Sequence, residues 1–159
     1  MKNGRFLYDT PYYYDIHCTI VRMLENRFKQ LQLERALGEL QELYNHDPLT
    51  RAYNRIAYNE WIRPAFLDYS RQGIICALVF LDADNFKRLN DTFGHEYGDK
   101  VLQRIVAVLK EQCPEGGYVC RYGGDEFITF FPHATPANTN EYVQKVQKLL
   151  GKEQSHDAQ

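Results

Sequence analysis

Residues 74–82, IICALVFLD, are a nearly continuous apolar run that ends on an aspartate. A run apolar at odd and even positions alike has no face to give to water. It suits a strand covered on both sides, in the middle of a sheet. A second strand signal follows, with YVCRY (118–122) and EFITFFP (126–132) flanking Gly123 and Gly124. Two glycines between apolar runs predict a two-residue hairpin, and Pro132 ends its second strand.

Helical spacing fills the remainder. Residues 53–71 predict a helix on Ile56, Trp61, Ile62, Phe66 and Leu67, kinked at Pro64 and stopped at Gly73. Residues 99–112 predict another on Val101, Leu102, Ile105, Val108 and Leu109, and 137–150 a last one. Asp47 is placed to cap the segment after Pro48, with the proline at its first helical position. Helices covering a sheet that contains an antiparallel pair make an α+β layered domain.

Ahead of this domain, residues 15–45 contain no proline and one internal glycine, Gly38. Apolar residues recur every three or four positions: Ile16, Ile20, Leu24, Phe28, Leu31, then Leu33, Leu37, Leu40, Tyr44. The step of two from Leu31 to Leu33 shifts the register, as a coiled-coil stutter does. A helix this long cannot bury its own stripe, and pairing with a second copy is the expectation. The division expected is an N-terminal segment 1–14, a signalling helix 15–46 and a domain 47–159. No function is legible in the tyrosine-rich first segment.

The net charge of −2 gives no broad field for nucleic acid. The four cysteines form no CxxC pair and no zinc spacing, so packed, reduced thiols in a cytoplasmic chain are expected. No stretch approaches the roughly 20 apolar residues that span a bilayer, so no membrane segment is expected.

Two acidic clusters remain. Asp82 ends the apolar strand and Asp84 follows it, while Asp125 and Glu126 sit at the glycine tip. If the hairpin lies beside the strand, Asp82 and Asp125 approach. At ~4 Å and an effective dielectric of ~20, two such charges repel by roughly 4 kcal/mol. A divalent cation removes that cost, and oxygen-only ligands point to Mg²⁺ or Mn²⁺. The alternative is a pair of solvated turn carboxylates that never meet. Mg²⁺ held by few protein ligands implies a phosphate substrate completing its shell. Gly123 and Gly124 then allow close approach by a polyphosphate. There is no GxxxxGK[ST] loop. Backbone amides near Asn85 and Phe86, with the charge of Lys87, are the phosphate-holding candidates. Asn90 and Asp99 flank FGHEYG, which is expected to be a loop. A carboxylate and a carboxamide together can read guanine and reject adenine, which lacks a donor at N1. The plainer alternative makes both of them caps, and His95 a turn histidine.

DPLTRAYNR (47–55), LDADNFKRLNDTFGHEYGD (81–99) and RYGGDEF (121–127) together closely resemble the GGDEF domain of diguanylate cyclases. The resemblance covers about residues 47–150. It implies a palm-like fold, similar to nucleotidyl cyclases, and condensation of two GTP into cyclic di-GMP with release of two pyrophosphates. It implies metal binding by Asp82, the Ala83 carbonyl and Asp125, with a second ion expected, and Glu126 as the fourth signature residue. It also implies guanine recognition by Asn90 and Asp99, and Gly123–Gly124 as the turn over the phosphates. Catalysis by a homodimer, paired through the N-terminal helix under an upstream sensor, follows from a product that needs two GTP. The inhibitory product site of many relatives, Arg-x-x-Asp, is replaced here by PEGG at 114–117. The resemblance further implies a domain incomplete at its C-terminus, since family domains continue with another strand, a hairpin and a helix. A GTP-binding or dimerising module without catalysis is the competing expectation.

Overall fold

The computed structural model describes residues 11–151, with side chains from residue 17 onward. The chain divides into two units after Glu42. The first is most of helix α1 (Pro11–Asn45), which starts four residues earlier than the expected 15. Of the expected 1–14 segment, 11–14 are therefore helical and 1–10 lie outside the described residues, as does the side chain of Ile16. Along α1, Leu24, Phe28, Leu31, Leu33, Leu37 and Leu40 are 47–65% exposed. Exposed pairs such as Arg35–Glu39 (2.9 Å) contribute only a few tenths of a kcal/mol. The apolar stripe is the larger energetic feature of this helix.

In the second unit, Asn54 joins two elements with one side chain. Its amide donates to the Tyr44 carbonyl near the end of α1 (2.7 Å), and its Oδ1 accepts from Ala57 N–H (3.0 Å). Asn54, rather than Asp47, thus caps the helical segment that follows. That segment runs as α2 (Arg55–Ala57), a π-helical stretch (Tyr58–Ile62) and α3 (Arg63–Arg71). The wide stretch precedes Pro64, whose missing N–H cannot serve the carbonyl of residue 60. The irregularity expected at Pro64 is therefore a π turn just before it. Gly73, at φ +73°, follows the end of α3 as expected.

The sheet has three strands in the order β1-β3-β2: β1 (Cys76–Asp82), β2 (Tyr118–Arg121) and β3 (Glu126–Pro132), all antiparallel neighbours. This corrects the expectation for 74–82. β1 lies at the edge of the described sheet, with Phe80 70% exposed, and β3 is the central strand, buried from Phe127 to Pro132. Both runs are apolar, and only pairing distinguishes them. Phe127 and Phe131 face a cluster with Leu102, Ile105, Leu109, Tyr142 and Val146 of helices α5 (His95–Gln112) and α6 (Pro136–Gly151). Ile128 and Phe130 face Ile62, Phe66 and Tyr69 on the opposite side. Thr129 is held by a 2.8 Å hydrogen bond with the Tyr142 hydroxyl, whose pKa is pushed up to about 12, chiefly by burial. Burial also pushes the Cys113 and Cys120 thiols up to about 11 and 12, so both are packing groups rather than nucleophiles.

Asp47 closes a different turn from the one expected. Its Oδ1 accepts from Thr50 N–H (2.8 Å), Thr50 Oγ1 (2.7 Å) and Arg121 Nη1 (3.0 Å). Burial pushes its carboxyl up, but the Thr50 hydrogen bonds and the Arg121 guanidinium outweigh this and hold it below the usual range. A depressed folded-state pKa contributes stability above the unfolded value and loses it as pH falls through the folded one. Asp47→Asn is expected to destabilise the domain by about 1–3 kcal/mol at pH 7. In urea titrations across pH, the gap to wild type should close below about pH 4.

Candidate nucleotide and metal site

The rungs of the β1–β3 ladder end with Leu81 opposite Phe127 and Asp82 opposite Glu126. One residue further, Ala83 N–H donates to the Asp125 carbonyl at 3.1 Å. The end of β1 and the glycine tip therefore converge through backbone pairing. Directly opposed residues project to the same face, with Cβ atoms about 5 Å apart, so Asp82 and Glu126 carry like charges on one face of the sheet's end. Both are exposed.

The tip differs from the expected two-residue turn. Tyr122 N–H (2.8 Å) and Gly123 N–H (3.2 Å) both donate to the Glu126 carbonyl, leaving Gly123, Gly124 and Asp125 as a three-residue tip. Neither glycine has a left-handed φ. What Gly124 provides is space: a Cβ there would meet nothing within 4 Å. The tip is held from behind. Arg121 donates through Nε (3.1 Å) and Nη2 (2.6 Å) to the Gly124 carbonyl while its third nitrogen grips Asp47. The Arg55 guanidinium lies 4.8 Å from the centre of the Tyr122 ring, and Tyr58 packs edge-on against that ring.

After Ala83 the chain turns through Asn85, at φ +59°, into helix α4 (Phe86–Phe93). Phe86 N–H donates to the Ala83 carbonyl at 3.1 Å. Lys87 is exposed on the first turn. Gly94 alone joins α4 to α5 at φ +85°, donating to the Asn90 carbonyl at 2.8 Å. FGHEYG is therefore a helix–helix corner rather than a loop, and α5 begins at His95 instead of the expected 99. This disposes of the capping alternatives. Asn90 lies inside α4, and Asp99 is exposed in the second turn of α5 beside Gly98. The corner packs tightly: a Cβ on Gly98 would fall on the Asn90 side chain and 3.2 Å from the Phe86 ring. Asn90 Oδ1 is buried there without a hydrogen-bond partner.

Among the described residues, no three His, Cys, Asp or Glu side chains are gathered in a metal-holding cluster. The groups that Asp82–Ala83 and Asp125–Glu126 could offer a cation are all oxygens, carboxylate or carbonyl, with no histidine or cysteine among them. Mg²⁺ commonly takes one or two carboxylates and completes its shell with water and substrate phosphates, so the set fits it. A groove of about 900 Å³ adjoins this end of β1 and is lined by β1, α4, α5 and α6. It is lined by apolar residues such as Val79, Leu89, Phe93 and Val146, with Asp82–Asp84 at one end and neither Asn90 nor Asp99 on its walls.

The diguanylate cyclase GGDEF domain profile matches residues 44–159. The chain belongs to the GGDEF domain family. It is 41% identical over 104 residues to the diguanylate cyclase DgcP of Pseudomonas aeruginosa, which covers 65% of this chain and 16% of that protein. The coiled coil and GGDEF domain of DgcB from Caulobacter crescentus, solved with c-di-GMP, superposes with a TM-score of 0.73 at 26% identity. That match covers 80% of this chain and 67% of that one. Diguanylate cyclase SiaD of Pseudomonas aeruginosa, solved with its activator SiaC, gives 0.65 at 29% identity, covering 87% of this chain and 53% of that one. The chain spans between 16% and 34% of the length of the first curated relatives it matches. The α+β palm-like fold is thus the family's.

Arg121 and Asp47 both lie in the three motifs, yet neither carries a local signal of a role at the tip. Their pairing spans 74 positions, which no local pattern reveals. The opposed acids generate a stability test. Like charges directly opposite destabilise a strand pair. Glu126→Gln is expected to raise the melting temperature slightly in metal-free, low-salt buffer. The gain should shrink at 1 M salt, where screening is nearly complete.

Proposed function

We propose that this domain synthesises cyclic di-GMP from two GTP, as one half of a pair of domains and with Mg²⁺ or Mn²⁺. The observation that carries this reading is the backbone-fixed meeting of Asp82–Ala83 with Asp125–Glu126. The Asn90–Asp99 corner on the next two helices, and family membership, support it.

Each residue has a task. Asp99 accepts from the N1–H and exocyclic amine of guanine, and the Asn90 carboxamide supplies a complementary polar group. Adenine has no N1 donor and leaves Asp99 unpaired, a mismatch that discriminates strongly. Gly124 leaves room for the phosphates over the tip, and Lys87 on the first turn of α4 offsets their charge. Asp82, Asp125 and the Ala83 carbonyl would hold one or two cations, with Glu126 beside them. A bound ion would supply stabilisation of charge at the α-phosphate and the leaving pyrophosphate. The 3′ oxygen of one GTP, losing its proton, bonds to the α-phosphorus of the other, and the bond to the β-phosphate bridge breaks. The same exchange in the opposite sense closes the ring. Holding the two nucleotides head to tail supplies much of the acceleration.

One domain presents one such site, so two must face each other across a two-fold axis. The exposed apolar stripe of α1 supports pairing through that helix, with a regulator acting on its register. No helix among the described residues is long and apolar enough to cross a membrane. A cytoplasmic placement beneath an upstream sensor is part of the same proposal. With PEGG at 114–117, feedback through an Arg-x-x-Asp site is not expected.

Incubation of the chain with GTP and Mg²⁺, followed by chromatography, tests the reading. Cyclic di-GMP should accumulate, at a rate per molecule that rises with protein concentration until pairs saturate. Asp125→Asn should lower the rate by on the order of 100-fold or more with the fold intact. GTP binding without any product would favour the non-catalytic module instead.

A further inference from the structure

Gly98 is buried in the second turn of α5, where glycine is among the least favourable residues. Its backbone does not require it, since the left-handed glycines are Gly73, Gly94 and Gly116. Space is the reason that remains. A Cβ on Gly98 would fall directly onto Asn90 Oδ1, 3.0 Å from its Cγ and 3.2 Å from Phe86 Cζ. Phe86 and Asn90 are four residues apart on one face of α4, so Gly98 backs onto both. The Asn90 Oδ1 is buried against it with no hydrogen-bond partner, whereas Nδ2 is not a buried orphan. The carboxamide is thus seated with its oxygen inward against Gly98. Unpaired buried polar atoms are rare, and one retained beside a close-packed glycine calls for an explanation.

We infer that Gly98 is a positioning residue for guanine recognition: its missing side chain forms the slot that fixes the Asn90 carboxamide, turning the Asn90 amino group toward the base beside Asp99. This rests on the reading of Asn90 and Asp99 as guanine contacts. An alanine at 98 leaves the helix able to form but evicts the Asn90 side chain, because the neighbouring Phe86 ring limits where it can go.

A double-mutant cycle tests this, with Mg²⁺ and GTP titrated calorimetrically into wild type, Gly98→Ala, Asn90→Ala and the double variant. Gly98→Ala should weaken GTP binding tenfold or more in the wild-type background. It should cause no further loss in the Asn90→Ala background, where nothing occupies the slot. Thermal melts give a second readout that needs no ligand. Gly98→Ala should lower the melting temperature when Asn90 is present and raise it when residue 90 is alanine. Equal effects of Gly98→Ala in both backgrounds would overturn the slot. If Asn90→Ala weakens binding and Gly98→Ala does not, the positioning role alone falls. If Asn90→Ala binds GTP as wild type does, the guanine reading fails and takes the inference with it.

Discussion

The antiparallel pairing of β1 with β3 is the constraint on which everything else depends. Its register runs from Cys76 opposite Pro132 to Asp82 opposite Glu126, and the Ala83–Asp125 hydrogen bond extends it by one step. A slip of one residue would turn every side chain of β1 to the other face. It would also part the strand end from the glycine tip. The core enforces the register, because β3 is buried on both faces and its alternate residues are committed to two different helical layers. Packing far from the acids thus sets where the acids stand.

The convergence has a cost, and the surroundings show how it is carried. Two like charges share the last rung, and a buried carboxamide oxygen at the neighbouring corner lacks a partner. Neither feature favours the fold by itself. Arg121 fixes the tip by bonding the Gly124 carbonyl and Asp47 at once, and Tyr122 packs against both Arg55 and Tyr58. Stability is concentrated in the sheet and its helices, while its outer end is left with unspent polar groups. That division is expected of a site made to bind a charged ligand.

Much of this was legible in the sequence. The apolar runs located all three strands, helical spacing located the helices other than α4, and three motifs in order identified the family. What escaped was set by strand pairing and by the geometry of individual turns. The run at 74–82 looked central because it is apolar throughout, yet position in a sheet depends on which strand takes two neighbours, and β3 does. FGHEYG looked like a loop because glycines punctuate it. One of them, Gly94, makes a single-residue corner, while Gly98 serves packing inside the helix. Asp47 looked like a helix cap because Pro48 follows it, but Asn54 reaches both helix ends and takes that role.

The central claim, that the end of β1 and the glycine tip jointly grip a cation with its nucleotide, is open to one direct measurement. Mn²⁺ added with GTP to isotopically labelled protein broadens the amide resonances of nearby residues. The account predicts that the signals of Asp82, Ala83, Asp125 and Glu126 vanish together at the lowest additions, while those of α6 persist. Broadening of one segment without the other, or of neither before α6, would contradict it.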